Sequence, residues 1–97
     1  MTPRAIRRTP HEEVGLRVRA LREELGYRQI DLARLAKVHT TYVSKLEAGK
    51  LNPSVDHVVE IAFALGVNPG TLVADLIPRD LRGRRPRSRP TDDPVAP

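Results

Sequence analysis

Apolar residues recur along this chain at spacings of three and four positions, a period that predicts helices, and no stretch shows the strict alternation of a strand. Five helices are predicted. The first runs from about residue 11 to residue 25, and Gly26 is placed to end it in a left-handed cap. Its apolar stripe consists of Val14, Val18, Leu21 and Leu25.

Two further helices are predicted after residue 53. Ser54 is expected to cap the fourth helix and Gly66 to end it. Asn68 followed by Pro69 is typical of the cap and first turn of a helix, here the fifth. The inward-facing residues predicted for the fourth helix are Val55, Val58, Val59, Ala62 and Leu65, and the fifth helix carries Leu72, Val73 and Leu76.

Residues 29–48 are predicted to form the second and third helices, joined by a tight turn and closed by Gly49. Small Ala33 lets the two helices cross closely, and Val38 fills the corner between them. This is the helix-turn-helix layout, which places one helix in a DNA groove. An ordinary helical hairpin within a small bundle is the alternative, because a fold alone does not determine a function.

The predicted fold class is therefore all-α, a compact five-helix domain over residues 11–78 with a basic tail at each end. The net charge is +5, yet residues 11–78 hold eight Arg or Lys against nine Asp or Glu. The surplus lies in residues 1–10, a flexible basic arm, and residues 79–97, an Arg- and Pro-rich segment expected to be disordered. Such tails either follow DNA phosphates or only keep the protein soluble.

Several classes of function find no support in the sequence. The chain has no cysteine, which excludes disulfides and thiolate metal sites. His11, His39 and His57 are scattered without metal-ligand spacing, and the adjacent carboxylates are typical of solvated helix faces, so we expect neither an enzyme nor a metal or other cofactor. Since no apolar run reaches the roughly 18 residues of a membrane span and no signal-peptide core is present, a cytoplasmic, nucleoid-associated protein is expected.

From about Val14 to Leu76 the sequence resembles the Cro and lambda-repressor-like helix-turn-helix family, also called the xenobiotic-response-element family. The resemblance is carried by residues before, within and after the predicted hairpin. They are Leu21-Arg22, Leu25-Gly26, Gln29, Leu32-Ala33, Tyr42-Val43-Ser44, Leu46-Glu47, Gly49, Asn52-Pro53-Ser54, Ile61-Ala62 and Ala64-Leu65-Gly66-Val67. It implies a lambda-repressor-like fold in which the helix beginning near Thr40 is the recognition helix.

Two positions depart from the family pattern. Lys37 stands at the turn position that is normally glycine, so it either keeps a left-handed backbone at a cost of about 1 kcal/mol or remodels the turn. Arg28 stands where Ser or Thr often caps the second helix, and a guanidinium cannot accept the free amide hydrogens there. Arg28 is instead either a phosphate contact or a solvated surface charge.

The resemblance also implies which residues meet DNA. Thr40, Thr41 and Lys45 match the positions that reach base edges in the major groove. Tyr42 is expected to pack its ring on the fold and direct its hydroxyl to a phosphate, or else only to pack at the surface; His39 caps the recognition helix or contacts phosphate. The expected contacts to the DNA backbone are Arg28, Gln29, His39, Tyr42, Ser44, Lys50 and Asn52.

In the resembling family an Arg of the first helix meets the Glu near the end of the recognition helix, and here these residues are Arg22 and Glu47. A bidentate contact between them locks the recognition helix to its scaffold. If the pair is exposed, it is a minor ion pair worth less than about 1 kcal/mol.

These observations predict a sequence-specific regulator of transcription, expected to be a repressor, that binds double-stranded DNA as a homodimer on a two-fold-symmetric operator. Dimer interface candidates are Val67, Leu72, Val73, Leu76 and Ile77, some of which also belong to the domain's own core. A compact repressor, a restriction-modification controller or a toxin-antitoxin antitoxin would suit this size. The alternatives are an adaptor that binds a protein partner, with nonspecific nucleic-acid affinity, and the less favoured RNA binding.

Overall fold

The computed structural model describes residues 8–77, which fold into five helices without a strand. They are α1 (Pro10–Glu24), α2 (Gln29–Ala36), α3 (Thr40–Glu47), α4 (Val55–Leu65) and α5 (Pro69–Val73). The predicted all-α class and the number of helices are confirmed. The predictions about the arm before residue 8 and the tail from residue 79 onward lie outside the described residues.

The first helix begins one residue earlier than predicted, at Pro10, because Thr9 caps it. The Thr9 hydroxyl accepts the backbone N–H of Glu12 at 3.3 Å, and the Glu12 carboxylate accepts the backbone N–H of Thr9 at 2.8 Å. This reciprocal capping box satisfies two amides of the helix start. Thr9 and Pro10 therefore belong to the folded domain, which corrects the predicted boundary of the arm.

A single core joins all five helices. α1 packs on α3, α2 packs between α3 and α4, and α5 lies against α4 and α1. The core is made of aliphatic residues and is closed by partly buried Leu21, Val38, Leu51, Val58 and Leu76. The buried apolar residues are Val14, Val18, Leu32, Ala33, Ala36, Val43, Leu46, Ile61, Ala62, Leu65 and Leu72.

Three residues predicted to face inward are exposed instead. Leu25 follows the last residue of α1 and is 49% exposed, because the chain has already left the helical stripe there. Val55 is 77% exposed and Val59 is 40% exposed. The buried residues of α4 are Ile61, Ala62 and Leu65, which all lie in the second half of the helix. The core therefore covers that half and leaves Val55 and Val59 outside it.

The caps of the last two helices agree with the sequence pattern. The Ser54 hydroxyl accepts the backbone N–H of His57 at 3.1 Å, and the Asn68 side chain accepts that of Gly70 at 2.7 Å. α5 ends at Val73, so Leu76 packs from the segment that follows the helix. A guanidinium nitrogen of Arg17 on α1 lies 3.3 Å from the Leu72 carbonyl oxygen, which ties the end of α5 to α1.

Candidate DNA-binding site

The turn between α2 and α3 keeps its left-handed geometry although its residue is a lysine. Lys37 has φ 60° and ψ 43°. The turn is closed by the backbone N–H of Val38, which donates to the Ala33 carbonyl at 2.9 Å. This conformation costs a non-glycine residue about 1 kcal/mol. Of the two possibilities that the sequence left open, Lys37 therefore keeps the left-handed backbone and the turn is not remodelled.

The third helix presents its polar side chains to solvent and its apolar ones to the core. Val43 and Leu46 are buried, whereas Thr40, Thr41, Ser44 and Lys45 are all exposed. His39 precedes the helix in an extended conformation and makes no side-chain capping bond, so the capping role considered for it is absent. The exposed face thus offers two hydroxyl-bearing threonines and an ammonium group within two turns of one helix.

Arg22 and Glu47 hold the other side of α3 against α1. Arg22 Nε donates to Glu47 Oε2 at 2.7 Å and Arg22 Nη2 donates to Glu47 Oε1 at 3.0 Å. Both residues are buried, with 8% and 7% of their surfaces exposed. The hydrogen bond with Glu47 raises the pKa of Arg22 against the opposing effect of burial. The expected bidentate pair is present, and its burial excludes the alternative of a minor exposed ion pair.

Two further bonds extend this pair into a network that the sequence did not reveal. The remaining amino group of Arg22 donates to the Tyr27 carbonyl at 2.7 Å. Gln29 Nε2 donates to Glu47 Oε1 at 3.0 Å. The Glu47 carboxylate, at the end of α3, therefore accepts hydrogen bonds from α1 and from the start of α2. These bonds satisfy the lone pairs of a carboxylate that is removed from water.

This network changes the expectation for Gln29, which was a contact to phosphate. Its amide nitrogen is committed to Glu47 through one hydrogen, and its second hydrogen is still available to a phosphate oxygen. The sequence placed Gln29 at the start of a helix but did not indicate its contact with Glu47. The two residues are 18 positions apart along the chain, and helical spacing relates only residues a few positions apart.

Arg28 forms the start of α2 with Asp31 instead of a hydroxyl cap. Asp31 Oδ2 accepts the backbone N–H of Arg28 at 2.7 Å, and the guanidinium donates to the same carboxylate at 3.1 and 3.0 Å. The guanidinium cannot accept an amide hydrogen in return, so only the carboxylate half of a capping box exists. These bonds, above all those from the Arg28 side chain, lower the pKa of Asp31 to about 2. The Arg28 side chain is largely exposed.

Tyr42 contradicts the expectation that its hydroxyl faces a phosphate. The hydroxyl oxygen is buried and has no hydrogen-bond partner among residues 8–77. Its ring lies on the His57 ring of α4, with a centroid distance of 4.5 Å and a tilt of 50°. Burial, and then the charge of Glu60, raise the pKa of this hydroxyl. Tyr42 therefore packs α3 on α4, whereas the sequence had offered only packing at the surface as the alternative to a phosphate contact.

The loop after α3 places two more predicted contacts beside the helix end. Gly49 turns the chain with φ 72°, and the backbone N–H of Lys50 donates to the Lys45 carbonyl at 2.9 Å. The side chains of Lys50 and Asn52 are exposed. An anion approaching the exposed face of α3 would thus meet Lys45 and Lys50 with no acidic group paired to either among the described ion pairs.

Within residues 8–77 no helix is long and apolar enough to cross a membrane. The same part of the chain brings no three His, Asp or Glu side chains together in a metal-binding group.

Comparisons with known proteins point to the same helices. A family model described as helix-turn-helix matches residues 18–72, which is more than half of the chain. The immunity repressor protein of Bacillus phage phi105 is 32% identical over 62 residues, a match that covers 64% of this chain and 43% of the repressor. The control protein C.BamHI of Bacillus amyloliquefaciens is 38% identical over 60 residues, which covers 61% of this chain and 74% of that protein.

A solved structure of similar fold contains DNA. The P22 c2 repressor protein, crystallised in complex with a synthetic operator, superimposes on this chain with a TM-score of 0.60 at 28% sequence identity. The superposition covers 63% of this chain and 92% of the P22 chain. The match thus spans less than half of the phi105 repressor but most of the P22 chain. The chain belongs to the helix-turn-helix family of the Cro and lambda-repressor type.

Proposed function

We propose that this protein is a repressor that binds a two-fold-symmetric operator as a homodimer, with α3 of each copy in the major groove. The observation that carries the proposal is the division of α3 into two faces. Thr40, Thr41 and Lys45 are exposed on one face, while Glu47 on the other accepts a buried bond from α1 and a partly buried one from α2. A rigidly held helix with free polar side chains is suited to reading base edges.

We assign Thr40, Thr41 and Lys45 to base edges. Lys45 can donate to the O6 and N7 atoms of guanine, and a threonine methyl group can pack on that of thymine. The remaining polar groups around α3 are assigned to phosphates, which set register without carrying sequence information. They are Arg28, the second amide hydrogen of Gln29, His39, Ser44, Lys50 and Asn52.

We place the dimer contact on the outer surface of α4 and α5, which revises the set suggested by the sequence. Leu72 is fully buried in its own domain, so it is removed from the set of dimer contacts. Val67 and Leu76 are partly buried. Val73 and Ile77 are exposed. An open apolar groove of about 340 Å³ lies between the start of α1, α4 and α5, and Val55, Val59, Val73 and Leu76 line it. Phe63, one turn beyond Val59, is 79% exposed.

A second copy of the chain is the proposed occupant of this surface. One recognition helix reads only a few base pairs, and a second one about 34 Å away raises both affinity and specificity. An exposed apolar surface of this extent on a small domain marks an interaction site. The immunity repressor and the control protein among the relatives favour a phage or restriction-modification setting, in the cytoplasm with the nucleoid and without catalytic activity.

The test is selection of bound sequences from random double-stranded DNA at about 150 mM salt, where nonspecific phosphate binding is weakened. We expect a two-fold-symmetric motif with half-sites about one helical turn apart. Thr41→Ala and Lys45→Ala should each lose discrimination at one position of the half-site, at about 1–3 kcal/mol per base contact. Arg19→Ala, on the exposed side of α1, is the matched control.

The contrary result would be binding that yields no motif and disappears as salt rises. In that case the adaptor hypothesis takes over, in which the same five helices bind a protein partner and nucleic acid is held only by charge.

A further inference from the structure

Gly15 occupies the interior of α1, a position where glycine is unfavourable. A glycine inside a helix costs about 1 kcal/mol relative to alanine, because it has more backbone freedom to lose. Gly15 has no positive φ among the backbone angles of the described residues, so no unusual conformation requires it. Gly15 is one of the buried residues of α1, together with Val14, Val18 and Arg22.

The contact that excludes a side chain at this position comes from the recognition helix. A Cβ atom added to Gly15 would overlap the carbonyl oxygen of Leu46. It would also lie 3.1 Å from the Leu46 carbonyl carbon and 3.2 Å from the Cα of Glu47. All three atoms are backbone, so no rotation of a side chain relieves the overlap. Any residue larger than glycine must move the last turn of α3 away from α1.

The same turn of α3 comes close to α1 at two neighbouring points. The Leu46 carbonyl accepts the backbone N–H of Gly49 at 3.1 Å, and a Cβ added to Gly49 would lie 2.7 Å from Cγ of Glu12 on α1. The Arg22–Glu47 pair is the third link between α1 and this turn. The C-terminal end of α3 therefore rests on α1, and its N-terminal end carries the exposed threonines.

A shift at this end is transmitted to the base-reading end. Thr40 and Leu46 are six residues apart on one helix, or about 9 Å at 1.5 Å per residue. Hydrogen bonds to base edges tolerate only a few tenths of an ångström. Contacts between long basic side chains and phosphates are far less sensitive, since charge attraction acts over about 8 Å at physiological salt.

We propose that Gly15 is a positioning residue of the recognition helix: the missing side chain seats the last turn of α3 directly on α1 and so sets the angle at which Thr40, Thr41 and Lys45 meet the bases. This inference rests on the proposed function, because it assumes that these three side chains read DNA. It concerns the orientation of the helix and adds no contact to DNA.

The experiment compares the full chain with its Gly15→Ala variant in two binding measurements. One uses the operator motif selected by the unaltered chain, and the other uses a scrambled duplex of equal length and composition at the same salt. We expect Gly15→Ala to lower the ratio of operator to scrambled affinity at least tenfold, while the affinity for the scrambled duplex changes less than threefold. Circular dichroism checks that both proteins are helical.

Leu65→Ala is the control for a general loss of stability. Leu65 is buried near the end of α4, so its truncation leaves a core cavity without changing the contact between Gly15 and Leu46. Measured below its unfolding transition, this variant should keep the affinity ratio of the unaltered chain. If Gly15→Ala is unfolded in buffer, all three proteins are compared in an osmolyte such as sucrose, which favours the folded state.

The outcomes separate the two proposals. A motif selected by the unaltered chain and bound by folded Gly15→Ala with an unchanged affinity ratio overturns the role of Gly15 and leaves the proposed function standing. A variant that does not fold even in osmolyte also overturns it, because Gly15 then serves the core and not the orientation of α3. If the unaltered chain selects no motif, the proposed function and this inference both fail.

Discussion

At the scale of single residues, the buried Arg22–Glu47 pair joins α3 to α1 through two charged side chains. Two ionised groups are removed from water here, and their bidentate bonds with the donor group of Gln29 compensate for that loss. Such a pair adds little net stability compared with an apolar packing. Removing one partner, however, leaves the other charge buried and unpaired.

We therefore expect Glu47→Ala to lower the free energy of unfolding by about 3–5 kcal/mol, because Arg22 would lose its counter-charge inside the fold. Urea denaturation followed by circular dichroism measures this change. The matched control is Arg19→Ala, which breaks the exposed pair of Arg19 with Glu23 and should cost less than about 1 kcal/mol. Equal losses in the two variants would contradict the importance given to the buried pair.

The sequence predicted some contacts of this site correctly and missed others. Glu47 and Arg22 were paired correctly through the family resemblance, whereas the Gln29 bond to the same carboxylate was not foreseen. Tyr42 was predicted to reach a phosphate, yet its hydroxyl is buried beside the His57 ring. The spacing of residues shows which ones share a helix face, but it does not show which element covers that face.

At the scale of helices and turns, local rules account for most of the boundaries. Ser54 and Asn68 cap helices as their residue types predict, and Gly26, Gly49 and Gly66 all have positive φ at the ends of α1, α3 and α4. The turn at Lys37 departs from this pattern, because a lysine there adopts the conformation that glycine adopts without strain.

This exception gives a prediction for the turn. Lys37→Gly should raise the free energy of unfolding by about 1 kcal/mol, since it removes the strain of a left-handed lysine. Thermal and urea unfolding of the two proteins measure it. The control is Lys50→Gly, at a lysine whose φ is not positive, where greater freedom of the unfolded chain should leave stability unchanged or lower. A Lys37→Gly variant that is less stable would show that the turn carries no such strain.

At the scale of the whole molecule, the packing of α1, α4 and α5 decides which apolar residues are left at the surface. The groove lined by Val55, Val59, Val73 and Leu76 is apolar and open, and its lining includes no residue of α3, although Asn52 of the following loop contributes to it. This separation allows one surface to hold a second copy while the other holds DNA.

The proposed dimer is tested by placing a charge on this surface. Val73→Asp should weaken self-association at least tenfold, because it would bury a carboxylate without a partner in the contact. Sedimentation analysis over a range of protein concentrations measures the change. Leu35→Asp, on an exposed residue of α2, is the matched control and should leave association unchanged. An unaltered chain that stays monomeric, or a Val73→Asp variant that still dimerises, would contradict this assignment.

The sequence by itself determined the number of helices, the caps of α4 and α5 and the position of the helix-turn-helix, because these depend on interactions between residues a few positions apart. It also placed Thr40, Thr41 and Lys45 together on one exposed face. Only the tertiary structure decided the rest. Val55 and Val59 are exposed, Leu72 is buried, and Gly15 lies under the Leu46 carbonyl. Each of these depends on which helix packs against which, and residues far apart along the chain set that arrangement.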